Sequence, residues 1–235
     1  MTAGSRWWTP NRATVPCFLL GNLDLIALSP NGRILITGGR GQSLCWWDLL
    51  SGTNTVLATE GHRVLFSSDG RSFAVFQRDN RLQIWDVESR SVRAILLIDT
   101  PPASAVGFSS DGRVLAMTAG LEDVDNTIFL WDTVTAKLLG TCVGHKQGVR
   151  SLAFSPDGKT LASSGDDSTL RLWNVATQQE LLNLRHLGGN LAGLLFSPSG
   201  QMLVGASGFL SPGGGLRFYR APSFVETDRI DPPIE

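Results

Sequence analysis

The sequence predicts an all-β chain built from a four-stranded antiparallel unit repeated about five times. Three observations predict it: a turn that recurs five times, an aromatic–acid landmark after each turn, and dense punctuation by 26 glycines and 11 prolines in 235 residues. Punctuation that dense favours many short strands over long helices. A repeat decides the architecture, so it takes precedence over local propensity.

The turn reads Ser29-Pro30-Asn31-Gly32, Ser67-Ser68-Asp69-Gly70, Ser109-Ser110-Asp111-Gly112, Ser155-Pro156-Asp157-Gly158 and Ser197-Pro198-Ser199-Gly200, with starts 38, 42, 46 and 42 residues apart. Trp47-Asp48, Trp85-Asp86, Trp131-Asp132, Trp173-Asn174 and the degraded Phe218-Tyr219 follow in turn. Between the landmarks the fourth copy reads cleanly. Val149 to Phe154 alternates and ends at the turn, whose Gly158 can take the positive φ of a tight hairpin. Thr160 to Ser163 returns, the polar turn Gly165-Asp166-Asp167-Ser168 reverses the chain, and Thr169 to Trp173 alternates again. A fourth strand, about Glu180 to Leu184, follows Ala176-Thr177-Gln178-Gln179. Four antiparallel strands at a period of about 42 residues describe the blade of a β-propeller. The blades fall at about 23–60, 61–98, 103–142, 145–185 and 190–230.

These landmarks resemble the WD-repeat family of β-propellers over nearly the whole chain, and Gly144-His145, Asp157-Gly158, Asp167 and Trp173-Asn174 make the fourth copy the best match. The resemblance implies a buried hydrogen-bonded set of His145, Ser163, Asp167 and Trp173 that ties the outer strands of a blade together. Such a set is sensible chemistry, because a buried carboxylate and a buried indole N–H both need partners. It is a folding device rather than a catalytic triad. The other copies depart from it. Asp79 and Asp125 stand six residues before Trp85 and Trp131, yet Val75 and Met117 occupy the place of Ser163. Copies one and five lack the Asp, and His62 is expected within a shortened strand. One full set in five leaves hydrophobic packing between blades to supply most of the stability.

Residues 1–22 look like the third and fourth strands of a preceding blade: Arg6-Trp7-Trp8, then Thr9 to Arg12, then Val15 to Leu20. Phe224 to Ile230 supplies a final outer strand that Asp231-Pro232-Pro233 ends. Five blades and a half imply either an incomplete or C-terminal piece of a larger propeller, in the style of bacterial WD-repeat chains, or a five-bladed ring that Val15 to Leu20 closes. An open ring leaves one blade uncovered and invites self-association.

Catalysis finds little support. Asp48, Asp69, Asp86, Asp111, Asp132 and Asp157 occupy turns and strand ends, where Asp caps its own backbone. The acidic stretch from Gly120 to Asn126 matches no calcium loop and reads as solvated. No phosphate-binding glycine loop is present, since Gly213-Gly214-Gly215 reads as a strand connection. The expectation is therefore no enzyme, no metal and no cofactor. A net charge of −1 with scattered arginines gives no basic stripe for nucleic acid. No apolar run approaches the roughly 18 residues of a membrane span. The three cysteines, Cys17, Cys45 and Cys142, show neither a disulfide framework nor metal-ligand spacing, which points to a reducing, cytoplasmic setting.

What remains is binding to protein partners through loops on a rigid scaffold. In the best-formed blade the candidates are Gln147 and Arg150 at the entry to the innermost strand, with Asp166 from the neighbouring turn. The third blade adds Glu122 and Asp123. The resemblance also carries a second reading, in which the chain is the C-terminal propeller of a larger regulatory protein with a kinase-like domain upstream. A propeller enzyme is the third.

Overall fold

The computed structural model describes residues 25–38, 42–77, 81–97, 102–119, 126–185, 191–207 and 215–220. All regular structure among them is strand, gathered into five antiparallel sheets in chain order. The first contains β1 (Leu25–Leu28), β2 (Ile34–Gly38), β3 (Ser43–Asp48) and β4 (Thr53–Glu60); the second contains β5 (Arg63–Phe66), β6 (Ser72–Phe76), β7 (Arg81–Asp86) and β8 (Ser91–Leu97). The third is β9 (Pro102–Phe108), β10 (Val114–Ala119), β11 (Thr127–Asp132) and β12 (Leu138–Val143); the fourth is β13 (Val149–Phe154), β14 (Thr160–Gly165), β15 (Thr169–Asn174) and β16 (Glu180–Arg185). The fifth contributes β17 (Leu191–Phe196), β18 (Met202–Ser207) and β19 (Leu216–Arg220). The expected strands within residues 1–22 and 224–230 lie outside the described residues.

Each sheet pairs its strands in sequence order, so every connection is a hairpin. The recurring turn explains the first hairpin of each. In the fourth sheet Ser155 Oγ donates to Asp157 Oδ1 (2.6 Å) and accepts from the Thr160 amide (3.0 Å), while Asp157 Oδ1 also accepts from the Lys159 amide (3.1 Å). The Gly158 amide donates to the Ser155 carbonyl (2.9 Å) at φ +69°, in the left-handed region that glycine occupies without a Cβ clash. The sheets at Ser67 and Ser109 repeat the same bonds, and Asn31 stands in for the Asp at Ser29. The third hairpin is capped by the residue after the landmark aromatic. Asp48, Asp86, Asp132 and Asn174 each accept from backbone amides two or three residues on. This is the turn chemistry expected of those carboxylates.

The core lies between sheets. All five residues of β6 are buried because the strand is covered on both faces. Phe73 and Val75 join Ile34, Ile36, Leu44 and Trp46 of the first sheet, whereas Ala74 and Phe76 join Phe108, Leu115 and Met117 of the third. Successive side chains point to opposite faces of a strand, so one strand serves two interfaces. In β14, Leu161 packs toward the third sheet with Ile128, Leu130 and Trp173, while Ala162 packs toward Leu191, Leu194 and Leu203 of the fifth. Four such clusters join sheets one to two, two to three, three to four and four to five. The architecture is that of β-propeller blades, and among the described residues the stack is open.

Two expectations need correction. His62 is not inside a strand; it sits in the link between β4 and β5, where its amide donates to the Phe76 carbonyl (2.9 Å). Cys45 is disulfide-bonded, which the wide spacing of the cysteines did not suggest. Cys142 is a free, buried thiol, and burial pushes its pKa up to about 12.

Candidate interaction face and the polar set behind it

Two ends of the fourth sheet have different characters. At one end lie the Ser155 and Asn174 turns; at the other lie the entry to β13 and the turn between β14 and β15. The second end holds Gln147, Arg150 and Asp166. Arg150 Nε donates to Asp166 Oδ2 (2.7 Å), closing an ion pair across that turn, and the Asp166 amide donates to the Gly148 carbonyl (2.8 Å). The register of β13 against β14 shifts between Val149 and Ser151, which leaves Arg150 exposed at an irregular position. Gln147 is exposed beside it. Glu122 and Asp123 lie outside the described residues, as do Asp79, Asp125 and His186.

Directly behind this end is a chain of buried polar groups. Trp173 Nε1 donates to Ser163 Oγ (2.8 Å), and Ser163 Oγ lies 2.7 Å from His145 Nε2. Because the hydroxyl accepts from the indole, its own proton is free for Nε2. The remaining proton of a neutral imidazole then sits on Nδ1, 3.1 Å from both oxygens of Asp167. Burial lowers the His145 pKa and outweighs the opposing pull of Asp167, so the ring is neutral. Burial alone raises the Asp167 pKa, but donation from the Lys146 amide and the Thr169 hydroxyl prevails and leaves it lowered. Every proton in the set has an acceptor, and the result is a rigid, buried network.

The structure extends the network to residues that the sequence reading missed. Thr169 Oγ1 donates to Asp167 Oδ1 (2.7 Å) and accepts from Arg171 Nε (3.2 Å). Arg171, itself buried, pairs through Nη1 with Glu180 of β16 and lies 3.7 Å from Asp167 Oδ2. The alternation of Thr169, Arg171 and Trp173 along β15 was the available signal, since it places all three on one face. The first sheet satisfies its landmark indole in the same way and the second differently. Trp47 Nε1 donates to Thr37 Oγ1 (2.8 Å), and Thr37 stands eight residues after Ser29 as Ser163 stands eight after Ser155. In the second sheet, where Val75 holds that place, Trp85 Nε1 turns to Gln83 Oε1 (2.9 Å) in its own strand; Gln83 also accepts from Thr59 of the first sheet (2.9 Å).

The described residues contain no cluster of three or more His, Cys, Asp or Glu side chains placed to hold a metal ion. No helix among them is long and apolar enough to cross a membrane.

Comparison with known proteins agrees with this geometry. The model of the WD domain, G-beta repeat, matches residues 24–48, 99–132 and 136–174. Periodic tryptophan protein 2 of Arabidopsis thaliana is 28% identical over 192 residues, which is 79% of this chain and 21% of that protein. An uncharacterised WD repeat-containing protein of Synechocystis is 32% identical over 142 residues, covering 60% of this chain and 39% of its own length. The nuclear distribution protein nudF of Emericella nidulans is 31% identical over 177 residues, 66% of this chain and 40% of that protein. The chain thus spans well under half the length of each of these relatives. Repeated turn, landmark indole, sheet topology and these matches agree: the chain carries WD repeats, folded as the blades of a β-propeller.

Proposed function

We propose that the chain is a non-catalytic scaffold that binds a protein partner through the loops at the Gln147, Arg150 and Asp166 end of the sheets. One observation carries the reading. The polar groups that resemble a reactive constellation, Ser163, His145 and Asp167, are committed to one another and to Trp173, Thr169 and Lys146. The second, third and fourth sheets bury both faces of their central strands against their neighbours, so loops and outer strands are what they offer a partner. Arg150 and Asp166 suit the role because the exposed Arg150 can leave the half-buried Asp166 to meet a complementary charge.

The test is affinity capture from a native extract with wild type, Arg150→Ala and Gln147→Ala. A protein retained by wild type and lost from Arg150→Ala, at unchanged melting temperature, supports this face. Equal retention by all three rejects it. The relatives are longer than this chain, which leaves room for a second reading, in which this propeller directs an enzyme encoded in the same polypeptide, with a kinase-like domain upstream. Reading the frame upstream of Met1 tests that.

A further inference from the structure

The face of the fifth sheet turned away from the fourth is apolar and open. Register places Leu195 of β17, Val204 of β18 and Phe218 of β19 in one row, with Gly193, Ala206 and Leu216 in the next. Leu195 is 70% exposed, and Leu216 and Phe218 are each 64% exposed. The equivalent row in every earlier sheet is packed against its successor. It is Ile36 and Trp46 against the second sheet, Ala74 and Ile84 against the third, Ala116 and Leu130 against the fourth, and Ala162 and Leu172 against the fifth. Four repetitions of one interface show what covers this row: the opposite face of another sheet of the same kind, presenting residues equivalent to Leu161, Trp173 and Phe154.

The first sheet carries that opposite face. Its equivalents of Phe154, Leu161 and Trp173 are Leu28, Leu35 and Trp47, set in register by the pairing of Leu28 with Leu35 and of Leu35 with Trp47. Leu28 is 54% exposed and the other two are half-buried, whereas Leu161 and Trp173 are buried. The first and last sheets therefore hold the two halves of the interface that recurs inside the chain, and among the described residues these halves do not meet. We propose that a second copy of this chain covers the open face of the fifth sheet, head to tail, through the Leu28, Leu35 and Trp47 face of its own first sheet. A net charge of −1 opposes this association little. Large exposed apolar rows on a folded chain mark such sites.

The orientation makes the test specific. Sedimentation of the full chain over a range of concentrations should show the mean mass rising above the 25.3 kDa of a single copy. Phe218→Glu removes the tail half and Leu28→Glu the head half, so each alone should sediment as a single copy with the melting temperature of wild type. Mixed together they should form one-to-one pairs, because each supplies the half the other has lost. Wild type that remains a single copy at every concentration overturns the proposal and leaves the face to a different partner. Leu28→Glu that associates like wild type also overturns it, since the fifth sheets would then meet back to back. Leu195→Glu is the second tail variant should Phe218→Glu fail to fold.

Discussion

The indole of Trp173 shows how much one side chain carries. It is almost fully buried between the third and fourth sheets and donates to Ser163, so its loss opens a cavity and orphans a hydroxyl. Trp173→Ala should cost about 3–5 kcal/mol in a denaturant titration; a loss under about 1 kcal/mol would mean the indole contributes no packing. Gly165 is bound to the same network by space. A Cβ there would stand 2.7 Å from His145 Nδ1 and 3.0 Å from Asp167 Oδ1, so Gly165→Ala should displace the imidazole. The pH dependence follows from the neutral ring. The unfolded chain binds a proton on His145 near the ordinary value of 6.5 and the folded chain resists it. The unfolded state thus holds more protons, and stability should fall as the pH drops below about 6.5 toward the lowered folded value. His145→Gln should flatten that part of the profile; an unchanged slope would mean His145 is not its source. His145, Ser163, Asp167 and Trp173 were legible from spacing against a known pattern. Thr169 and Arg171 share the face of Trp173, but a buried arginine looks like any strand-surface arginine until the pairing of β15 with β16, which sets Glu180 opposite Trp173, brings that carboxylate within its reach.

At the level of the hairpin, the sequence is nearly a transcript of the structure. Ser-x-Asp-Gly, with Asn or Ser in place of Asp in the first and fifth copies, binds its own backbone, so the turn needs no tertiary information and could be read five times over. Gly158 holds φ +69° with no close contact awaiting a Cβ, its nearest neighbour being Ser110 Oγ at 3.6 Å. Gly158→Ala should therefore cost about 1–2 kcal/mol from the left-handed backbone alone; thermal denaturation that detects no loss would contradict the turn geometry. The third hairpin is held by charge as well. Asp86 accepts from the Ser89 amide and pairs with Arg93 (2.5 Å), and these hold its pKa at about 2. The folded value lies below the unfolded one, so this stabilisation is present above the ordinary value of 3.8 and is lost as the pH falls toward about 2. The difference in melting temperature between wild type and Asp86→Asn should vanish over that interval. His62 marks where local reading failed. His62 is expected within a shortened strand, but it sits in the link before β5, where its amide is held by the Phe76 carbonyl of β6.

Across the whole molecule, the unit of stability is the contact between neighbouring sheets. The repeat period announced the number of blades, and alternation announced which residues are apolar. Neither could say that Ala74 and Phe73 serve different interfaces, because that depends on which sheet stacks on each face. Nearest-neighbour stacking is the logic of repeat proteins, in which each unit is stabilised by its neighbours rather than by a single central core. It also explains why the weakly marked copies persist: the second sheet, without a serine equivalent to Ser163, still buries Phe73, Phe76, Leu82 and Ile84 almost completely. Amide hydrogen exchange followed by mass spectrometry tests this stacking most directly. If each central strand is sealed by a sheet on either side, residues 72–76, 114–118 and 160–165 should exchange slowest, with the outer strands 91–97, 138–143 and 180–185 much faster. Equal rates in central and outer strands, or faster exchange in the central ones, would contradict it.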